Sequence, residues 1–87
     1  MALAEDFASA QTRVRSLSRT PDASELLELY ALYKQGSNGD VTGSRPGMLD
    51  FKGRAKYDAW SGKKGTARDA AQRAYVELVG KLATKYG

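Results

Sequence analysis

From Leu26 to Tyr33 seven of eight residues are apolar: Leu26, Leu27, Leu29, Tyr30, Ala31, Leu32 and Tyr33. They follow Asp22-x-x-Glu25, a spacing at which each side chain can accept a hydrogen bond from the other residue's backbone N–H and so open a helix. The predicted helix runs from about Ala23 to Gln35. A surface helix needs one apolar stripe. This one carries enough for two, one for the core and one for something else. The run is also far shorter than the roughly 20 apolar residues that cross a bilayer.

The rest of the chain supplies partners for that helix. Phe7, Ala10, Val14 and Leu17 recur at spacings of three and four, the stripe of a first amphipathic helix, which Thr20-Pro21-Asp22 interrupts. Gly36 to Leu49 holds four glycines and a proline with no sustained period and reads as a long ordered loop, a kind often functional in compact domains. Asp50 can cap a short third helix, about Phe51 to Trp60. Thr66-x-x-Asp69 resembles another capping box, opening a fourth helix from about Ala67 to Tyr86 that carries Ala71, Tyr75, Leu78, Val79, Leu82 and Tyr86. Gly80 costs that helix about 1 kcal/mol relative to Ala, and its expected role is close helix approach. Trp60 and Phe51 are core candidates. No segment alternates in the way a strand requires, so residues 1–87 are expected to form one all-α domain, a four-helix bundle.

The chain has no cysteine and no histidine. Disulfides, thiolate nucleophiles, zinc sites and histidine-based acid–base catalysis are therefore excluded, and no tight carboxylate pair stands out. The acidic start lacks the pattern of a signal peptide, which suggests a soluble intracellular protein. Between Tyr30 and Lys64 lie seven basic and three acidic residues, so the whole net charge of +4 falls there, beside five of the eight aromatics. Cations next to π faces suit a ligand with phosphates and a nucleobase. Leu26, Tyr30 and Lys34 form one line on the second helix, with Tyr33 three residues from Tyr30. Both tyrosines could equally be core, with Lys34 snorkelling. Lys52 and Lys56 repel at i,i+4 near a helix N-terminus, an arrangement that a bound anion would relieve and that a wet face would tolerate. Arg54 is expected to pair with Asp58, Arg45 with Asp40 or Asp50, and Lys63-Lys64 to sit in a solvated turn. No Gly-Lys-Ser/Thr follows the loop glycines, so nucleotide hydrolysis has no support.

Taken in order, Leu29-Tyr30-x-Leu32-Tyr33-Lys34-Gln35, Gly39-Asp40, Arg45-Pro46-Gly47-Met48-Leu49-Asp50-Phe51, Gly53-x-Ala55-Lys56-Tyr57-Asp58-Ala59-Trp60, Lys64-Gly65-Thr66 and Ala74-Tyr75-Val76 resemble the acyl-CoA-binding protein family from Phe7 to Gly87. One departure is Tyr57, where that family commonly has tryptophan. The resemblance implies an up-down-down-up four-helix fold that binds medium- and long-chain acyl-CoA esters without turning them over, as a cytoplasmic, monomeric carrier and pool former. It implies no cofactor, no metal, no nucleic-acid partner and no stable membrane insertion. By position it assigns the CoA head group to Arg15, Tyr30, Tyr33, Lys34, Lys52, Lys56 and Tyr75. The acyl groove falls to Leu26, Leu27 and Phe51, with Phe7 and Ala10 near it. Within that set Tyr33 is the candidate for stacking adenine, Lys34 and Lys56 for the 3′-phosphate with a hydroxyl from Tyr30 or Tyr75, and Lys52 and Arg15 for the rim. The competing readings are a basic helical nucleic-acid-binding domain and a protein-interaction module using the Leu26–Tyr33 face as a groove.

Overall fold

The computed structural model describes residues 2–87. Its four helices are α1 (Leu3–Arg15), α2 (Ala23–Asn38), α3 (Phe51–Ser61) and α4 (Arg68–Tyr86). They form the expected all-α, up-down-down-up bundle. Helix α2 packs on α4, α1 packs on α4, and α3 packs on α2. Helices α1 and α3 do not meet, which leaves α2 with a face that neither fully covers. Residues 39–50 connect two helices running the same way. Twelve extended residues can span about 40 Å, ample for the return along α3. Among the described residues no helix is long and apolar enough to cross a membrane.

The core is drawn from three of the four helices. Phe7 and Ala10 of α1, Leu29 and Leu32 of α2, and Ala71, Tyr75, Val79 and Leu82 of α4 form one buried cluster. Helix α3 contributes Trp60 to the interior, and its indole N–H donates to the Gly39 carbonyl at 2.8 Å. Phe51 does not join it. As the first residue of α3 it lies at the exit from the long loop and is 75 % exposed, which corrects the core expectation for that ring.

Two glycines exchange their expected roles. The sequence pattern starts the loop at Gly36, but α2 continues through it to Asn38 and ends at Gly39, whose φ of 81° suits glycine. A Cβ at Gly36 would stand 2.9 Å from Cγ of Gln72 and 3.1 Å from Cζ of Phe7, so the missing side chain is what lets α1 and α4 approach. Gly80, expected at such a contact, has open space within 4 Å of the point where a Cβ would stand.

The helix starts divide likewise. Asp22 and Glu25 form the reciprocal capping box, at 2.9 and 3.0 Å. The Asp50 carboxylate accepts from the Gly53 N–H at 2.9 Å. The box expected at Thr66 and Asp69 does not form: α4 starts one residue later than expected, after Ala67, with no side-chain cap. Asp69 instead accepts from the adjacent Ala70 N–H and pairs with Arg73, while the Thr66 carbonyl is taken by Gln35.

Gln35 is fully buried and acts as a clip on the loop. Its Nε2 donates to the Thr66 carbonyl at 2.8 Å and to Asp40 Oδ1 at 2.9 Å, and the same Asp40 oxygen accepts from the Gly65 N–H. These bonds hold the Asp40 carboxyl below its ordinary range, the Gly65 N–H having the largest effect. The Tyr57 hydroxyl donates to the Gly43 carbonyl at 2.9 Å. Arg45 makes a two-pronged bond to Asp58 at 2.9 and 2.7 Å. That pair replaces both expected pairings, Arg54 with Asp58 and Arg45 with Asp40 or Asp50. The reason is tertiary: the loop folds back along α3 and brings a planar guanidinium into fork geometry with the carboxylate. Lys63 is likewise not merely solvated, since its ammonium meets Glu28 of α2 at 2.8 Å; Lys64 remains exposed.

Candidate ligand-binding site

The uncovered face of α2 carries two adjoining concavities. The larger, about 440 Å³, is lined by Gln11, Val14 and Arg15 of α1, Pro21, Leu26, Leu29, Tyr30 and Tyr33 of α2 and its approach, and Tyr75 of α4. The smaller, about 250 Å³, lies between α2 and α3 and is lined by Ala23, Leu26, Leu27, Lys52, Ala55 and Lys56. Leu26 belongs to both and is 44 % exposed, so the two spaces meet at an apolar side chain left open to solvent. Leaving a leucine and a tyrosine this open on one helix is the structural counterpart of the surplus apolar face read from the sequence.

Two tyrosine rings form the floor of the larger cavity, and a phenylalanine ring supports them from behind. Tyr75 is only 4 % exposed, and Tyr33 is 38 % exposed. Phe7 lies between them without lining the cavity, stacked on Tyr33 at 6.1 Å and 29° and edge-on to Tyr75 at 5.2 Å and 82°. Burial pushes the Tyr75 hydroxyl above its ordinary value, against the pull of the Arg15 guanidinium, so it stays a protonated donor at neutral pH.

The cations surround these spaces without filling them. The Lys56 ammonium stands 5.4 Å from the centre of the Tyr30 ring, at the seam between the two concavities. The Lys34 ammonium lies 4.8 Å from the Trp60 ring centre, on the α3 side of α2, and does not line the larger cavity. Among the described residues neither Lys52 nor Lys56 has an acidic group within ion-pairing distance.

Of the residues singled out in the sequence, Arg15, Leu26, Tyr30, Tyr33 and Tyr75 therefore share the larger cavity, and Leu26, Leu27, Lys52 and Lys56 share the smaller. Phe7 and Ala10 stand behind the site in the core, and Phe51 lies outside both linings. Gln11, Val14, Pro21 and Leu29 carry no sequence signal that marks them as lining residues. Val14 reads as core from its stripe, and Pro21 as a helix break; only the packing of α1 across α4 brings them to the cavity wall.

A tyrosine-rich cavity with Arg15 in its wall, joined to an apolar cleft edged by Lys52 and Lys56, defines a helical bundle built to hold an elongated amphipathic ligand. The Acyl CoA binding protein family model matches residues 4–79. An acyl-CoA-binding protein homologue of Caenorhabditis elegans is 54 % identical over 81 residues, covering 93 % of this chain and 94 % of that one. A Drosophila melanogaster homologue is 45 % identical over 84 residues, covering 97 % and 98 %. Among solved structures, Oryza sativa acyl-CoA-binding protein 2 superposes with a TM-score of 0.91 at 35 % identity, covering 95 % of this chain and 90 % of that chain. The chain belongs to the acyl-CoA-binding protein family.

Proposed function

We propose that this chain binds medium- and long-chain acyl-CoA esters without catalysis and serves as their cytoplasmic carrier and buffer, working as a monomer. The observation that carries this reading is the junction at Leu26 between a cavity rich in tyrosine and an apolar cleft edged by two lysines that are unpaired among the described residues. A ligand matching both must have a flat aromatic and anionic head and an aliphatic tail. Family membership and the names of the relatives point to the same ligand.

In this reading Tyr33 stacks the adenine ring, a contact worth about 1–3 kcal/mol for bases on aromatic side chains. Lys56 and Lys34 donate charge-assisted hydrogen bonds to the 3′-phosphate, with a hydroxyl from Tyr30 or Tyr75. Lys34 would have to leave the face of the buried Trp60 ring, a contact worth about 0.5–2 kcal/mol, against about 1.5–3 kcal/mol for a charge-assisted bond to phosphate. Lys52 and Arg15 hold the rim. Leu26, Leu27 and Ala55 take the tail. At about 0.8 kcal/mol per buried methylene, 14 methylenes contribute roughly 11 kcal/mol before the costs of ordering and association. Tail length then governs affinity, and the head group governs specificity.

Calorimetric titration with palmitoyl-CoA, free CoA and palmitate tests the proposal. Palmitoyl-CoA should bind far more tightly than either fragment; equal binding of the three would overturn the carrier reading. A nucleic-acid-binding domain would instead take up oligonucleotides and lose them steeply with added salt.

A further inference from the structure

Residues 16–22 join α1 to α2 outside any helix, and both ends of that connection belong to the larger cavity. Arg15 at the close of α1 and Pro21 just before α2 are in its lining, and Arg15 is the only charged side chain there. Between them stands Ser18, exposed, with Arg13 five residues before it and Arg15 three residues before it. Ser16 Oγ donates to the Thr12 carbonyl at 3.4 Å, and Ser24 Oγ donates to Asp22 at 2.8 Å. The Ser18 hydroxyl has no such partner among the described residues. Neither Arg13 nor Arg15 has an acidic group within ion-pairing distance among those residues.

The two arginines have an ordinary role, as cations in the last turn of α1 that offset the helix dipole. That role does not call for a free serine at a fixed distance beyond them in irregular backbone. Protein kinases select their substrates by charge pattern, on an exposed segment that can be drawn into the catalytic cleft. A helix end opens at little cost, so the turn carrying Arg13 and Arg15 can extend to meet such a cleft. The neighbouring hydroxyls fit less well. Ser16 caps α1 and its hydroxyl is engaged, while Thr20 has Leu17 three residues before it and the buried Pro21 after it. The spacing singles out Ser18.

We propose that Ser18 is the acceptor for an arginine-directed serine/threonine kinase, and that its phosphorylation draws Arg15 away from the larger cavity. Ser18 Oγ attacks the γ-phosphorus of ATP, the bond from that phosphorus to the β,γ-bridging oxygen breaks, and ADP leaves. The hydroxyl proton passes to the catalytic aspartate of the kinase. The product carries a charge of about −1.5 to −2 and three acceptor oxygens. Three residues span at most about 11 Å, so the phosphate lies within reach of the Arg15 guanidinium, which can grip it with two parallel bonds. Arg19 is already engaged, donating to the Lys85 carbonyl at 3.3 Å and lying 5.4 Å from the centre of the Tyr86 ring. The cavity then loses its one cation and gains an anion at its lip, and both changes disfavour an anionic head group. That control of binding rests on the carrier reading; the modification itself does not.

The test treats the ligand-free chain with magnesium ATP and protein kinase B, which reads arginines five and three residues before its acceptor, and locates the phosphate by tandem mass spectrometry. One phosphate on Ser18 is expected. Arg13→Gln should slow its incorporation about tenfold, through loss of one charge-assisted contact, and leave the affinity for palmitoyl-CoA at its native value. No incorporation, or incorporation at Ser16 or Thr20 in place of Ser18, would overturn the proposal. Calorimetry on the phosphorylated chain should then find octanoyl-CoA and palmitoyl-CoA weakened by the same factor, roughly three- to tenfold. Ser18→Glu should reproduce part of that loss, and the part should shrink in the presence of Arg15→Gln. Unchanged affinity after phosphorylation, or a Ser18→Glu effect that persists in full beside Arg15→Gln, would overturn the control of binding. Phosphorylation is read on ligand-free protein, and titration of the unmodified chain with palmitoyl-CoA judges the carrier reading, so the two can fail separately.

Discussion

Replacing Phe7 with leucine separates two roles for a side chain that sequence reasoning puts near the acyl groove and that the fold buries behind it. Leucine keeps most of the apolar bulk but removes the ring that stacks on Tyr33 and meets Tyr75 edge-on. Each such pair contributes about 0.5–1.5 kcal/mol beyond area burial, so the two together imply a loss of about 1–3 kcal/mol. Complete truncation to alanine, at about 3–5 kcal/mol, sets the ceiling. A loss near 2 kcal/mol lowers Tm by about 8–16 °C in a domain of this size. Urea unfolding followed by circular dichroism measures it, with an unchanged m-value as the sign that only stability moved. A double-mutant cycle with Tyr33→Leu isolates the stacked pair and should return a coupling of about 0.5–1.5 kcal/mol. Binding supplies the second readout. Phe7 reaches a ligand only through the tyrosines, so Phe7→Leu should weaken octanoyl-CoA and palmitoyl-CoA by the same factor. A coupling within about 0.3 kcal/mol of zero, or a loss of affinity that grows with chain length, would refute the reasoning and return Phe7 to the tail.

Lys56→Ala should weaken short and long acyl-CoAs equally, by roughly tenfold or more, because a charge-assisted bond to the shared head group is worth about 1.5–3 kcal/mol; calorimetry that finds a loss for long chains alone would move Lys56 to the tail. Trp60→Phe leaves the Gly39 carbonyl without its donor and should cost about 1–3 kcal/mol, read by urea unfolding; native stability would show that the indole N–H is dispensable. Asp22, Glu25, Asp40 and Asp58 are all held below their ordinary values: Asp22 chiefly by the Glu25 N–H, Glu25 by the Tyr86 hydroxyl and the Lys85 ammonium, Asp40 by the Gly65 N–H, and Asp58 by Arg45. The unfolded chain therefore takes up protons first on acidification. These contacts contribute fully above the ordinary carboxylate range near pH 4 and are lost as the pH falls through it and below. Tm should drop across that window, and Glu25→Gln should flatten part of the slope; a Tm independent of pH there would contradict the assignments.

Much of the site is local in origin and therefore visible along the chain. Tyr30, Tyr33 and Leu26 share a helix face by period alone, and Asp22 fixes where that helix begins. What could not be read were relations between elements. Arg45 lies 13 residues from Asp58, and nothing in the spacing favours it over the Arg54–Asp58 alternative at i,i+4; only the return of the loop along α3 decides between them. The same holds for Phe51, whose ring looks like core in sequence and stands in water because α3 buries little beyond Trp60.

The sequence by itself determined that this chain is helical, where α2 and α3 are capped, that α2 carries more apolar surface than one core needs, and that charge and rings gather between Tyr30 and Lys64. Those properties follow from periodicity and near-neighbour chemistry, which act within a turn or two of the chain. The tertiary structure decided which apolar face stays open, because α1 and α3 pack on different partners and leave α2 bare between them. It also decided that Gly36 admits a close contact while Gly80 admits none, and that Phe7 supports the tyrosine floor from behind. Such outcomes depend on distances between residues far apart in sequence, which are fixed only when the helices pack.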